Sequence, residues 1–384
     1  MLLKTASLRR MRNKIMNKKT ILWVIIAVIV ISGIWYFSGK QPVKKEPIKI
    51  GVIVPLSGEL SNYGDSWKKG AELGVEKVKN DYGVDIELIY EDSQMIPEKA
   101  VTSAQKLINI DKVKAIIVGS SRETLAVAPI AEENKVLLMT TGNAAEITKS
   151  GDYVFRIYPS NTYQGKDLAD MATRKNYQRI AVLTMLDDYG IGLSNIFKDR
   201  IVEKGGEVIV ETFPQEGATD FKTQLTKIKI TKPEALLVIS ADNAYPLILK
   251  QIKQLGINIP LLAPETFQSQ TVLDGAGQLA EGVLFTTFVE PKTKEYNNFV
   301  KRHKEKYNED PGPFSAGFYD NTILVSEALI KNNGNTDGAK EWLYGIKDWA
   351  GATGITNFDE NGDPIDKSYT IMTVKNGQFA PYAE

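Results

Sequence analysis

An α/β fold of two similar lobes with mainly parallel sheets is predicted by three features of the sequence. From residue 48 onward, strand-like apolar runs alternate with helix-like stretches over short connections, the pattern of β–α units on a parallel sheet. Runs such as AIIV at 115–118 are apolar throughout, as strands buried on both faces require. The order strand, polar turn, helix, strand, polar turn at 115–143 then returns at 234–265. That echo predicts two lobes whose strand-end loops face one another across a cleft.

The N-terminus stands apart from this body. A charge-free run at 21–37, ILWVIIAVIVISGIWYF, follows a basic segment, 1–20, holding Lys4, Arg9, Arg10, Arg12, Lys14, Lys18 and Lys19. At about 1.5 Å rise per residue the run is near the lower limit for a spanning helix and longer than most signal-peptide cores. The basic flank predicts a cytoplasmic N-terminus and an extracytoplasmic remainder, in the periplasm or on the outer face of the membrane. No small-x-small cleavage site is clear and no Cys is present for a lipid anchor, so a transmembrane signal anchor is favoured over a removed signal peptide. Starts at Met11 or Met16 would shorten the leader. Residues 38–47, with QPVKKEP, read as a linker.

Residues 48–54 (IKIGVIV) form the first expected strand, followed by a Gly- and Ser-containing loop and a helix over 63–82. A strand at 86–90 precedes a helix from Pro97 to 110, Pro being favoured in a first helical turn. The 115–143 stretch supplies two more strands, and an extended run at 153–157 ends at Pro159. The pattern restarts with helices at 162–175, 192–204, 221–230 and 244–255 and strands at 179–185, 207–213, 235–239 and 261–263. A strand at 283–289, helices at 294–307, 314–331 and 338–346, and hairpin strands at 356–358 and 368–375 complete the chain. This tail closes the second lobe or returns to the first.

Composition removes several kinds of chemistry. The 47 basic and 47 acidic residues balance, so nothing calls for nucleic acid. Without Cys there is no disulfide, thiolate metal site or cysteine nucleophile. His303, the single histidine, lies in KRHKEKYNED and is expected at the solvated surface. Asp359, Asn361 and Asp363 open like a calcium loop, but Pro364 and Thr370 stand where Gly and a bidentate Glu are needed. DYGIGLSN at 188–195 is a partial dinucleotide fingerprint with Asn195 at the third Gly. No catalytic residue, metal site or cofactor is expected, and the chain is not read as an enzyme.

What remains is a set of polar and aromatic residues at strand ends: Tyr63, Ser120, Ser121, Thr140, Thr141, Asn143, Tyr189, Asp242, Asn243 and Glu265. Ser120 and Glu123 have capping-box spacing. The Ser121 amide then sits at a helix N-terminus, where a carboxylate or phosphate is stabilised. A capped helix that binds nothing is the alternative.

These residues resemble the leucine/isoleucine/valine-binding type of periplasmic binding protein, the type 1 substrate receptors of ABC importers. The similarity runs from Ile48 to the C-terminus and is carried by IKIGVIVPLSGELSNYGDSWKKGAELGVE, VGSSRET, LDDYGIGL, APE at 263–265 and the DENGD hairpin. It implies two Rossmann-like lobes joined by a three-strand hinge, lobe 1 being 48–158 plus 289–355 and lobe 2 being 159–288 plus 356–384. By resemblance Tyr63 lines the cleft, Ser121 binds a ligand carboxylate, and the Gly142 carbonyl accepts from an ammonium. Tyr189 is the second-lobe aromatic and Glu265 neutralises the ammonium. Ala144 stands where amino-acid binders carry a Thr or Ser, with Asn143 beside it to compensate, and Ala241 where they carry an aromatic. The function implied is capture of a small ligand, an amino acid or related carboxylate or amide, and delivery to an ABC permease. An envelope sensory or scaffolding module with the same fold, binding a protein partner or cell-wall fragment, is the alternative.

Overall fold

The computed structural model describes residues 17–38, 46–214, 217–289, 291, 293–365 and 367–383. Residues 1–16 of the basic segment and 39–45 of the linker lie outside them. The chain divides into an N-terminal unit, Met1–Glu46, and a body, Pro47–Glu384. In the first, Lys18–Ser38 forms an α-helix (α1) with exposed apolar side chains from Ile21 to Ile31. Among the described residues no helix is long and apolar enough to cross a membrane. The expected span of 21–37 was already at the lower limit of length, and its described side chains stop at Ser32.

The body begins with β1 (Ile48–Val54), α2 (Ser61–Tyr82), β2 (Ile86–Asp92), α3 (Pro97–Lys106), β3 (Ala115–Val118), α4 (Ser121–Glu133), β4 (Leu137–Thr140) and β5 (Val154–Arg156). These strands pair in parallel in the order β2-β1-β3-β4-β5. Side-chain alternation explains why the strands read as apolar throughout. Ile50, Val52, Ala115 and Ile117 enter one core, while Ile53, Ile116 and Val118 enter another on the opposite face.

A second sheet follows from α5 (Asn161–Arg174), β6 (Arg179–Thr184), α6 (Asp188–Glu203), β7 (Glu207–Thr212), α7 (Lys222–Thr231), β8 (Ala235–Ile239), α8 (Tyr245–Gln254), β9 (Leu261–Ala263), α9 (Gln270–Ala276) and β10 (Leu284–Phe288). The chain then adds α10 (Lys294–Tyr307), α11 (Ser315–Lys331), α12 (Thr336–Gly345), β11 (Trp349–Gly351), β12 (Gly354–Thr356), β13 (Tyr369–Lys375) and β14 (Gln378–Pro381). The second sheet runs β14-β13-β10-β9-β8-β6-β7, parallel except for β13 and β14, and β11 and β12 form a hairpin of their own.

The tail serves both sheets. Phe318, Leu324 and Leu343 of α11 and α12 join the core around Ile50 and Trp67, whereas β13 pairs with β10. Gly70 lets α2 lie directly on α11, because a Cβ there would meet the Ser315 carbonyl oxygen at 2.1 Å. The chain thus passes between the two sheets after β5, after β10 and after β12.

Several local expectations are corrected. Helix α6 starts at Asp188, earlier than expected, because Asp187 caps it by accepting from the Gly190 amide at 2.8 Å; DYGIGLSN is its opening turns and not a phosphate loop. Helix α9 and strand β11 were not expected. Both are short, and α9 is started by Ser269 accepting from the Thr271 amide. His303 is buried, not solvated: its Nδ1 lies 3.1 Å from the Glu309 carbonyl and its ring packs against Phe299 and Tyr307. Burial lowers its pKa. Asp359 Oδ1 is engaged within its own turn by the amides of Asn361 and Asp363, while the Asp363 carboxylate meets Arg156 Nε at 2.5 Å.

Candidate functional site

A cleft of about 540 Å³ is lined by Tyr63, Ser120, Ser121, Thr141, Gly142, Asn143, Tyr189, Asn243 and Glu265, whereas Thr140 and Asp242, singled out with them from the sequence, are buried behind the lining. The sheets explain the convergence. Gly119 to Ser121 follow β3, Thr141 to Asn143 follow β4, and Ala241 and Glu265 follow β8 and β9, all at carboxyl ends of parallel strands.

The first polar anchor is a helix cap. Ser120 is extended, and its Oγ accepts from the Glu123 amide at 3.3 Å. The same hydroxyl donates to Glu123 Oε2 at 2.6 Å, so it is committed to the cap. Glu123 is fully buried and its pKa is raised by that burial, with hydrogen bonds from Ser120 and Ser93 opposing. Ser121 Oγ accepts from the amides of Asn143 and Ala144, each at 3.1 Å, which leaves its proton to donate. Gly142 permits this approach, since a Cβ there would lie 2.9 Å from Ser121 Cα.

The second anchor is assembled from distant segments around Glu265. Tyr189 Oη donates to its Oε2 at 2.9 Å and Asn143 Nδ2 to its Oε1 at 3.1 Å. Gln164 Nε2 donates to the same carboxylate and to Thr286 Oγ1. Asn143 Nδ2 also lies 3.4 Å from Tyr369 Oη, which donates to the Pro159 carbonyl. Burial raises the Glu265 pKa, and the bonds from Gln164, Tyr189 and Asn143 pull it down. Among the described residues no Lys or Arg forms an ion pair with it, the groups acting on it being Gln164, Tyr189 and Asn143, and such a buried, donor-rich carboxylate is chemically suited to an ammonium. Asn143 therefore links the anchors, its amide on Ser121 and its side chain on Glu265.

Tyr63 reaches across to Asp242, which also accepts from Ser269 Oγ at 2.7 Å and the Asn243 amide at 2.8 Å. Burial first, then Asp242, holds the Tyr63 phenol well above its ordinary pKa.

One expectation needs adjusting. Ala144 is not at the wall: its methyl packs in the core with Ile147, and its carbonyl accepts from Arg156 Nη1 at 2.8 Å. The wall position belongs to Asn143, one residue earlier, while Ala241 does line the cleft. Sequence reasoning missed Gln164 and Tyr369 behind Glu265, and Trp67, Phe221 and Phe314 on the walls. Trp67 left a signal, standing one helical turn after Tyr63. Gly119 is its counterpart, because a Cβ there would lie 1.8 Å from the indole ring.

The periplasmic binding protein family model matches residues 47–378. A leucine-, isoleucine-, valine-, threonine- and alanine-binding protein of Pseudomonas aeruginosa is 28% identical over 361 residues, which cover 90% of this chain and 94% of that protein. The leucine binding protein LivK of Thermotoga maritima matches with a TM-score of 0.82 and 32% identity, covering 88% of this chain and 98% of that one. The branched-chain amino acid transporter substrate binding protein LivJ of Streptococcus pneumoniae, in complex with isoleucine, matches with a TM-score of 0.78 and 28% identity, covering 87% and 98%. With the family matched over nearly the whole body and a cleft built at the strand ends of two mainly parallel sheets, the chain belongs to the periplasmic binding protein family, as an extracytoplasmic protein that captures a solute.

Proposed function

We propose that the cleft takes a free amino acid, with its ammonium on Glu265 and its carboxylate on the Ser121 hydroxyl and amide, and that the loaded protein delivers it to an ABC permease. The observation that carries this reading is the buried Glu265 carboxylate, supplied with donors by Tyr189, Asn143 and Gln164 but paired with no basic side chain among the described residues. Asn143 stands between the two anchors, with the Gly142 carbonyl as a further acceptor and Tyr63 and Tyr189 as aromatic walls. The lobes are 48–158 plus 289–355 and 159–288 plus 356–384, and they close by a hinge motion that ligand contacts to both sides drive.

A thermal-shift screen of free amino acids tests the reading. At a hundredfold excess over its dissociation constant a ligand stabilises the folded state by about 2.7 kcal/mol, so a true ligand raises the midpoint clearly. A full panel that leaves the midpoint unmoved sinks it.

The apolar helix with its basic flank tethers the protein to the outer face of the membrane. Alkaline carbonate extraction separates the outcomes: a tethered chain stays with the membrane pellet, and release into the supernatant contradicts the tether.

A further inference from the structure

The cleft holds more apolar space than a branched aliphatic side chain can fill. Ser121, Asn143, Glu265 and Tyr189 form one linked polar set in its lining, with Glu59, Gln94, Arg122 and Asp187 as further polar residues around it. Its volume of about 540 Å³ falls in the range of clefts that enclose much larger ligands. On the first-sheet side Tyr63 contacts Trp67 and Phe314, with ring centroids 5.7 and 6.4 Å apart. Trp67 is held in place by stacking on Phe318 at 5.0 Å. The facing wall carries Phe221 and leaves room beside the small Ala241 and Ala244.

The apolar lining also continues to the mouth. Leu186 is 65% exposed and Leu247 38% exposed, yet both line the cleft.

We propose that the ligand is an amino acid with an aromatic side chain of phenyl or indole size, its ring lying against Tyr63 and Trp67 in the space beside Ala241. The inference rests on the amino-acid reading of Glu265 and Ser121 and adds the side-chain class. Rigid aromatic walls favour an aromatic guest through offset or edge-to-face packing as well as through buried area.

Calorimetric titration of the full-length protein with L-tryptophan, L-phenylalanine and L-leucine tests it. One of the two aromatic amino acids is expected to bind about tenfold or more tightly than leucine. Leucine binding as tightly as both, or more tightly, overturns the inference while leaving the amino-acid reading intact. If none of the three binds, the amino-acid reading fails and the side-chain inference falls with it. Ala241→Phe fills the space and should cut the aromatic-to-leucine affinity ratio about tenfold; an unchanged ratio removes the ring from that place. Should this variant not fold, the wild-type ranking alone decides.

Discussion

The two polar anchors of the cleft are made in opposite ways. The Ser120–Ser121 anchor is local: a capping hydroxyl, a carboxylate three residues on and a helix start, all within one turn. The Glu265 anchor is assembled from α5, α6, the turn after β4 and the turn after β9, segments far apart in sequence. A local anchor survives wherever its strand and helix form. The assembled one takes Gln164, Tyr189 and Glu265 from the second-sheet segments and only Asn143 from the first, so the Asn143–Glu265 bond is the part of it that requires the two sheets together.

The largest effect should come from the buried ion pair that braces the turn behind the first anchor. Arg156 is fully buried, pairs with Asp363 and holds the Ala144 carbonyl beside the first anchor. Arg156→Met leaves a carboxylate and a carbonyl without their donor, and the expected loss is about 3–5 kcal/mol of stability in chemical denaturation. A loss below about 1 kcal/mol would make the pair a surface-type bridge.

Breaking the assembled anchor comes next. Glu265→Gln should weaken a free amino acid by about 1.5–3 kcal/mol, more than tenfold, in calorimetry while the unliganded fold stays stable. The pH dependence has two signs. Burial raises the Glu265 pKa above its ordinary 4.5, so amino-acid affinity falls as pH is lowered through that raised value and the carboxylate is neutralised. For the unliganded protein the contribution to stability is fully present below 4.5 and declines as pH rises through the folded pKa. Glu265→Gln should flatten both profiles, and persistence of either would assign it to another group.

The local anchor should yield less. Ser121→Ala strands the amides of Asn143 and Ala144 in a buried setting, with an expected cost of about 1–3 kcal/mol, and weakens binding as well. Ser120→Ala removes the cap and one donor of the buried Glu123 carboxylate, about 1–3 kcal/mol in thermal melts, and should barely move affinity, because its hydroxyl is already committed to Glu123. If Ser120→Ala hurt binding more than Ser121→Ala, the roles of the two serines would be exchanged.

This contrast also explains what could be read in advance. The strands at 115–118 and 235–239 were legible to the residue because full burial leaves an uninterrupted apolar run, and 261–263, with Leu261 partly buried, reads the same way. Ser120 and Ser121 were legible because capping is a rule of neighbours. Gln164 and Tyr369 were not, since each is an unremarkable helix or strand residue until β10 and β13 bring Thr286 and Asn143 beside it. Ala144 was misplaced by one residue for a related reason. Only the turn's geometry, with two successive amides on Ser121, decides that Asn143 faces the cleft and Ala144 the core. His303 was misjudged because its charged neighbours describe the exposed face of α10, while its own ring lies on the other face against Phe299.

The central claim is that Glu265 and Ser121 hold the two charged ends of one amino acid. Calorimetric titration of the wild-type protein with the amino acid that binds, its N-acetyl derivative and its primary amide tests this most directly. The account predicts that each modification weakens binding at least tenfold, the N-acetyl form more than the amide because it meets a buried carboxylate. An N-acetyl derivative that binds as tightly as the free amino acid would contradict it.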